Sequence, residues 1–447
     1  MARKPQLATR EKRLNALGAY LGEVAPLIAE LESGDAFQRI RTFAQTGPDD
    51  ITQALSILGA VHGTGIVVHG ARGCAAVLPR TARGAWAVTN LDQRDTILGS
   101  DKALSQAIRS LFHRHRPWAI FVVATPVVAI NNDDIRSAAE EAAEELKIPV
   151  VVVRSDGFRS RIAATGFDAA AQALLPLVSP SSAGRRSDRI NLLAVDHGPG
   201  LDHIQTLLSE LRLEVQLLPA EGLHQAATAS LTVSLQPDET DALGLGLEHQ
   251  HGVPFLRLPP PIGIAATHRF LAAVARATGR EVPGDTAPTL ETLTGQRVAL
   301  AFPPAAAFAA ADLVEELGGI VAGVSVEHVD SSHVTALKDF ATKRPGLPLH
   351  VASGQPFEQV NRLARLTPDL FIGPADLALV AARLGIPAVT VRPDDLLGLR
   401  GAAHLARQTS KVLAKPTLAA RLAKAPSAYR PAWFKRSPDW HIKIEVK

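Results

Sequence analysis

Residues 66–76 read Ile66-Val67-Val68-His69-Gly70-Ala71-Arg72-Gly73-Cys74-Ala75-Ala76. An unbroken apolar run enters a turn with two glycines and leaves on small residues. Apolar runs without polar alternation belong to strands buried on both faces, as in parallel sheets. The small residues behind the turn suit a helix start, so the segment predicts one strand–turn–helix unit of an α/β sheet. Ligands bind such sheets beyond the carboxyl ends of the strands, which is where this reading puts Cys74. A helix N-terminus and the neighbouring Arg72 both favour thiolate over thiol, and thiolate is the form that ligates metals. Gly70 and Gly73 are the candidate cofactor-binding residues, because backbone without a Cβ lets a bulky group come close. From these residues alone three roles are open to the thiol. It is a metal ligand, a small hydrophobe of the core, or a nucleophile with His69 or His62 as its base.

The same rhythm repeats outward from this unit. Apolar runs stand at 65–69 (GIVVH), 118–124 (WAIFVVA), 149–153 (PVVVV), 190–195 (INLLAV), 298–302 (VALAF), 349–352 (LHVA), 369–372 (DLFI) and 387–391 (PAVTV). Amphipathic helices are expected between them, most clearly over 134–147, 202–211, 267–278 and 357–366. Strand–helix alternation of this kind gives doubly wound α/β domains. Two stretches break it and read as linkers, 180–189 (PSSAGRRSDR) and the Pro/Gly/Thr-rich 279–297. The expected layout is an N-terminal helical arm over 1–45, a first α/β domain over 46–180 carrying Cys74, a second over 181–285, a third over 286–400, and a C-terminal helix and tail over 401–447. All three domains are read as Rossmann-like with parallel sheets.

Composition narrows the chemistry. Of 447 residues, 46% are hydrophobic and 20% charged, ordinary for a globular chain that buries a large core, and aromatics are only 4%, so Ala, Leu, Val and Ile must build it. There are 47 basic and 44 acidic residues, interspersed, which gives nucleic-acid binding no support. A single cysteine excludes an intrachain disulfide and any metal site made of this chain's thiolates alone. The basic N-terminus lacks an apolar segment behind it, so no secretory signal is read. With no run of roughly 18 apolar residues either, no membrane span is expected and the chain reads as cytoplasmic.

The wider pattern resembles the nitrogenase component-1 family. Residues 50–76 (DITQALSILGAVHGTGIVVHGARGCAA) are similar to its first cluster-binding segment, a strand followed by a His-Gly-x-x-Gly-Cys turn. Residues 89–99 (TNLDQRDTILG), 122–135 (VVATPVVAINNDDI) and 154–166 (RSDGFRSRIAATG) look like the elements that follow it. Residues 191–219, 267–283 and 369–391 resemble the later units, so the likeness runs over nearly the whole chain from about residue 45. The departures matter. The catalytic β-type subunit supplies three cysteines to a large bridging cluster, whereas here the position upstream of the His-Gly turn and the loop at Thr125-Pro126 have none. What the resemblance implies is therefore a [4Fe–4S] cluster with Cys74 as one ligand and the other three from a homologous partner, in a heterodimer or heterotetramer. That arrangement is similar to the N-type subunit of the cofactor-assembly scaffold and to the dark-operative chlorophyllide reductases. In such systems a separate ATP-dependent iron protein delivers electrons. No Gly-x-x-x-x-Gly-Lys-Ser/Thr loop occurs in this chain, so no nucleotide is expected on it.

Three expectations of function follow. The first is a subunit of a nitrogenase-like two-component reductase. The second is a non-catalytic scaffold subunit for nitrogenase cofactor assembly. The third is a cluster-free α/β binding module or glycosyltransferase-like enzyme. Other polar groupings read as ordinary. His249 and His251 are expected on a surface loop, His113 and His115 at a helix C-terminus, and Asp133-Asp134 as a helix cap. The tail from Tyr429 holds two of the four tryptophans and suggests packing against another domain or subunit.

Overall fold

The computed structural model describes residues 10–45, 47–73, 84–131, 133–155, 157, 160–181, 184–195, 197–282, 284, 291–424 and 429–445. Its contacts group into two units. One comprises the chain through Arg10 with residues 48–196 and 213–257, and the other residues 11–47, 197–212 and 258–447.

The first unit is built on two four-stranded parallel sheets. One runs in the order Ala85–Val88, Gly65–His69, Ile120–Ala124, Val150–Val153. Gly65–His69 and Ile120–Ala124 are buried at every residue, as their unbroken apolar sequences require. Val67 and Val122 pack with Leu104, Ile108 and Leu111 of the helix Asp101–His115 and with Ala138 and Ala142 of the helix Ile135–Leu146. The other sheet runs Phe255–Leu256, Ala229–Ser234, Arg186–Ala194, Glu214–Pro219.

The second unit holds a six-stranded sheet in the order Ala19–Gly22, Leu349–Ala352, Ile320–Val326, Arg297–Ala301, Leu370–Gly373, Ala388–Thr390. Its first strand is antiparallel and the rest are parallel. Beside it, Ile442–Ile444 of the tail pairs antiparallel with Arg39–Arg41. The tail packs against its own unit: Phe357 is 5.1 Å from both Phe43 and Tyr429 by ring centroid, and Trp433, Phe434 and His441 close around it. Such aromatic pairs add to burial of the same area.

All eight expected strands form, with ends shifted by a few residues. The linker expected at 180–189 is in part a strand, since Arg186–Ala194 begins inside it. Its polar start is exposed at the end of the sheet, where Arg189 Nη2 donates to Glu214 Oε1 at 2.6 Å, so polarity there marks a wet strand end and not a break in the sheet. Strands such as Ile320–Val326 and Ala229–Ser234 carry Gly, Ser or Thr inside and escaped the apolar-run criterion. The buried hydroxyls of Ser234 and Thr240 satisfy each other at 2.6 Å, which lets a polar residue sit in that core.

The helix Asp50–Leu58 precedes the strand Gly65–His69 and lies against the helix Thr165–Leu174 at very short range. Asp49 caps the former by accepting from Thr52 N at 2.8 Å, and Asp50 Oδ1 accepts from Gly157 N at 2.9 Å. A Cβ on Gly166 would stand 1.9 Å from the Asp50 carbonyl oxygen and 2.8 Å from Ala54 N, both backbone atoms that cannot rotate away. Helix propensity alone favours alanine over glycine. Gly166→Ala is nonetheless expected to lower unfolding free energy by about 1–3 kcal/mol through overpacking. A urea melt of the purified chain measures this, and an unchanged or higher midpoint contradicts the close helix contact.

Candidate functional site

Buried on both faces, the strands of the first sheet leave side-chain chemistry only at their ends. Four chain segments leave the carboxyl edge side by side, at Thr89, His69–Gly70, Thr125 and Arg154–Ser155. The approach is tightest at Gly70. A Cβ there would meet Thr125 Oγ1 at 2.0 Å and Cγ2 at 2.6 Å, so only glycine fits. Gly73 differs, being exposed and facing open space among the described residues. Cys74 lies outside the described residues.

His69, the last residue of its strand, is 1% exposed and is held at both ring nitrogens. Nδ1 is 3.2 Å from Thr89 Oγ1 and Nε2 is 2.9 Å from Ser100 Oγ. The Ser100 hydroxyl donates to Asp133 Oδ2 in a short contact, so Nε2 must carry the proton and donate to Ser100. The backbone N–H of Gly70 donates to Thr89 Oγ1 at 2.9 Å, which ties the turn to the same network. Burial pushes the His69 pKa down to about 4, with the Asp133 carboxylate opposing more weakly. The ring is thus a neutral strut that fixes the strand end and is a weak base near neutrality. His62, the other base considered for a nucleophilic cysteine, sits before the amino end of the strand and pairs with Glu221 at 3.3 Å. Five strand residues separate it from the carboxyl edge, about 16 Å.

Two hydroxyls at this edge have no hydrogen-bond partner among the described residues, Thr125 Oγ1 and Ser155 Oγ. Both residues are buried. A buried hydroxyl left unsatisfied costs about 1–3 kcal/mol, so it points to a group that completes it. Sequence patterns gave no notice of Ser155, Thr89 or Ser100 as site residues, because single hydroxyls carry no spacing signature, and the loop at Thr125 stood out only for lacking a cysteine.

The other polar groupings resolve simply. Asp134 caps the helix Ile135–Leu146 by accepting from Ser137 N at 3.1 Å, while Asp133 serves Ser100 instead. His113 and His115 end the helix Asp101–His115 as expected. The loop expected at His249 and His251 is instead the last turn of the helix Pro237–His251, where residues two apart point away from each other and cannot share an ion. Among the described residues one grouping of His, Cys, Asp or Glu has metal-ligand spacing, His328, Asp330 and His333 in the second unit. No helix among the described residues is long and apolar enough to cross a membrane.

The family model described as nitrogenase component 1 type oxidoreductase matches residues 52–414. The nitrogenase iron-molybdenum cofactor biosynthesis protein NifE of Clostridium pasteurianum is 28% identical over 199 residues, 43% of each chain. The nitrogenase molybdenum-iron protein beta chain of the same organism is 23% identical over 322 residues, 64% of this chain and 66% of that one. A light-independent protochlorophyllide reductase subunit of Cereibacter sphaeroides is 26% identical over 330 residues, 68% of this chain and 60% of that one. The matched region thus spans between 43% and 66% of these relatives' length. Among solved structures, nitrogenase Cp1 at pH 6.5 superposes with a TM-score of 0.71 at 20% identity, over 84% of this chain and 94% of that one, which shows a common fold.

The state of His69 has a consequence for stability. Its folded pKa lies below the unfolded value of about 6.5, so its contribution is complete above pH 6.5 and is lost as pH falls towards about 4. His350, buried in the second unit and also pushed down to about 4, acts in the same window. His69→Gln is expected to remove part of this pH dependence and leave the His350 part. Urea midpoints at several pH values between 7 and 4.5 compare the two proteins, and equal slopes contradict a buried neutral His69.

Proposed function

The chain belongs to the nitrogenase component 1 type oxidoreductases, and from that premise we propose that it is the one-thiolate subunit of a two-component reductase. It shares an iron–sulfur cluster with a homologous partner chain, in a heterodimer or heterotetramer, and takes electrons from a separate ATP-dependent iron protein. The observation that carries the reading is the carboxyl edge at Gly70, four residues before the only cysteine. A neutral His69 braces the backbone there, a Cβ is sterically forbidden, and two buried hydroxyls at Thr125 and Ser155 want a partner. The glycine serves the packing of Thr125, and the two hydroxyls fit a polar group held against the edge.

Cys74 would be the ligand from this chain, with Gly70 and Gly73 shaping the turn that leads to it. A [4Fe–4S] cluster is usually held by four thiolates. One cysteine per chain leaves three for the partner. When bound, such a cluster supplies one-electron transfer at low potential. This chain's part would be to supply the Cys74 thiolate and to present the braced strand edge to its partners. ATP hydrolysis is assigned to the iron protein, since the sequence has no phosphate-binding loop of the Gly-x-x-x-x-Gly-Lys-Ser/Thr type.

A second reading is supported by the similarity to the cofactor biosynthesis protein NifE. In it the same subunit is a scaffold, and the shared site carries cofactor-assembly chemistry instead of substrate reduction. Reduction of an added substrate with iron protein and MgATP favours the first reading, and stable retention of a cofactor precursor without turnover favours the second.

Cys74→Ala separates a ligand from a core thiol. A ligand thiolate is expected to take the iron with it while the α/β sheets stay folded, within about 1 kcal/mol of the parent in a thermal melt. The measurement is iron per complex with the co-purified partner, beside a circular-dichroism melt of the same sample. Full iron content and an unchanged reduced-cluster EPR signal in Cys74→Ala contradict the proposal.

A further inference from the structure

We propose that His328, Asp330 and His333 form a binding site for one late first-row divalent cation, of which Zn²⁺ is the probe. The site lies in the second unit, beyond the carboxyl end of the strand Ile320–Val326. After a bend at Glu327, Val329 is fixed by a pair of backbone hydrogen bonds to Leu17, 2.7 Å and 3.0 Å long. Residues two apart on an extended chain face the same way, so His328 and Asp330 share the side opposite the buried Val329. At Asp330 the chain turns into the short helical segment Ser331–His333, which brings His333 back onto that side three residues later. The three residues are 2%, 0% and 2% exposed.

Each residue offers one donor atom, and the three lie within 4.8 Å of one another. Two ligands of one ion at bond lengths near 2.0–2.1 Å stand at most about 4 Å apart. His328 Nε2 and Asp330 Oδ2 are 3.9 Å apart, longer than a hydrogen bond and within that limit. The imidazole rings of His328 and His333 have centroids 5.6 Å apart and are inclined at 74°, an edge-on arrangement and not a stack. Seating all three donors on a common ion needs the side chains to close in from this spacing.

Part of this geometry serves the helix start. Asp330 accepts from Ser332 N at 2.9 Å and from its hydroxyl, both through Oδ1, and in the ion-free chain His333 Nδ1 accepts from Asp330 N at 3.0 Å, a bond that a cation on Nδ1 replaces while Nε2 keeps the proton. That cap explains Oδ1 and places His333 beside Asp330. The carboxylate's second oxygen faces the His328 imidazole from the preceding strand end, in a fully buried position. Two neutral imidazole nitrogens and one carboxylate suit Zn²⁺, Co²⁺, Ni²⁺ or Fe²⁺, and not Mg²⁺ or Ca²⁺, which prefer all-oxygen sites. Three protein donors leave a position for water or a further ligand.

The test uses the full chain carrying Cys74→Ala, so that the only thiol does not contribute. Equilibrium dialysis against Zn²⁺, with zinc counted by mass spectrometry, is expected to give one tight ion per chain. Two variants then remove ligands without removing the cap. Asp330→Asn keeps an N-cap oxygen, and His328→Gln keeps a polar side chain of similar reach. Each is expected to weaken zinc at least tenfold while the circular-dichroism melt of the zinc-free protein stays close to the parent. Co²⁺ in place of Zn²⁺ is expected to give visible ligand-field bands that both variants lose. One zinc per chain retained with unchanged affinity in either variant, or no more zinc on the parent than on the variants, overturns the site.

Discussion

Strands buried on both faces are the constraint on which everything else depends. A parallel strand such as Gly65–His69 has no wet face on which to carry chemistry. Polar function is pushed to the strand ends, where the backbone turns out of the sheet and side chains escape the apolar layers. The chain obeys this in each unit separately. In the first, the histidine brace, the forced glycine and the two unsatisfied hydroxyls all sit at carboxyl ends. In the second, the His–Asp–His grouping follows the carboxyl end of Ile320–Val326. Ligand sites at this edge are the general habit of open α/β sheets. What distinguishes this chain is the residues it places there.

His69 shows how a strand end is made rigid. A histidine buried against a Thr–Ser–Asp chain of hydroxyls and carboxylate cannot be read as a loose base waiting for a proton. Desolvation holds the ring neutral, and both nitrogens are spoken for. The nucleophilic reading of Cys74 needed His69 or His62 as base. One is a weak base locked in a network, and the other belongs to the opposite end of the strand.

Much of this was legible in the sequence, for a simple reason. Apolar runs such as IFVVA and VALAF announce themselves without any knowledge of their neighbours, and both are strands where expected. The His-Gly turn was equally visible. The elements that escaped were those whose burial is made possible by distant partners. Ala229–Ser234 reads as polar until Thr240 satisfies Ser234, and the start of Arg186–Ala194 reads as a linker until Glu214 pairs with its arginines. The site was legible only in part for the same reason. Gly70 stood out, but the need for glycine there is set by Thr125, which is 55 residues away in sequence and adjacent only through the sheet. Likewise His328, Asp330 and His333 are unremarkable as text, and become a grouping only because Leu17 pins the intervening Val329.

A chain with a single thiolate holds a four-iron cluster only in company. The most direct measurement is iron per chain in the protein expressed alone and in the protein co-expressed with its homologous partner, each purified without oxygen. A colourless or iron-poor lone chain is expected, beside a brown complex with about four irons for each [4Fe–4S] cluster it holds. A stable, stoichiometric cluster in the chain purified alone contradicts a shared cluster.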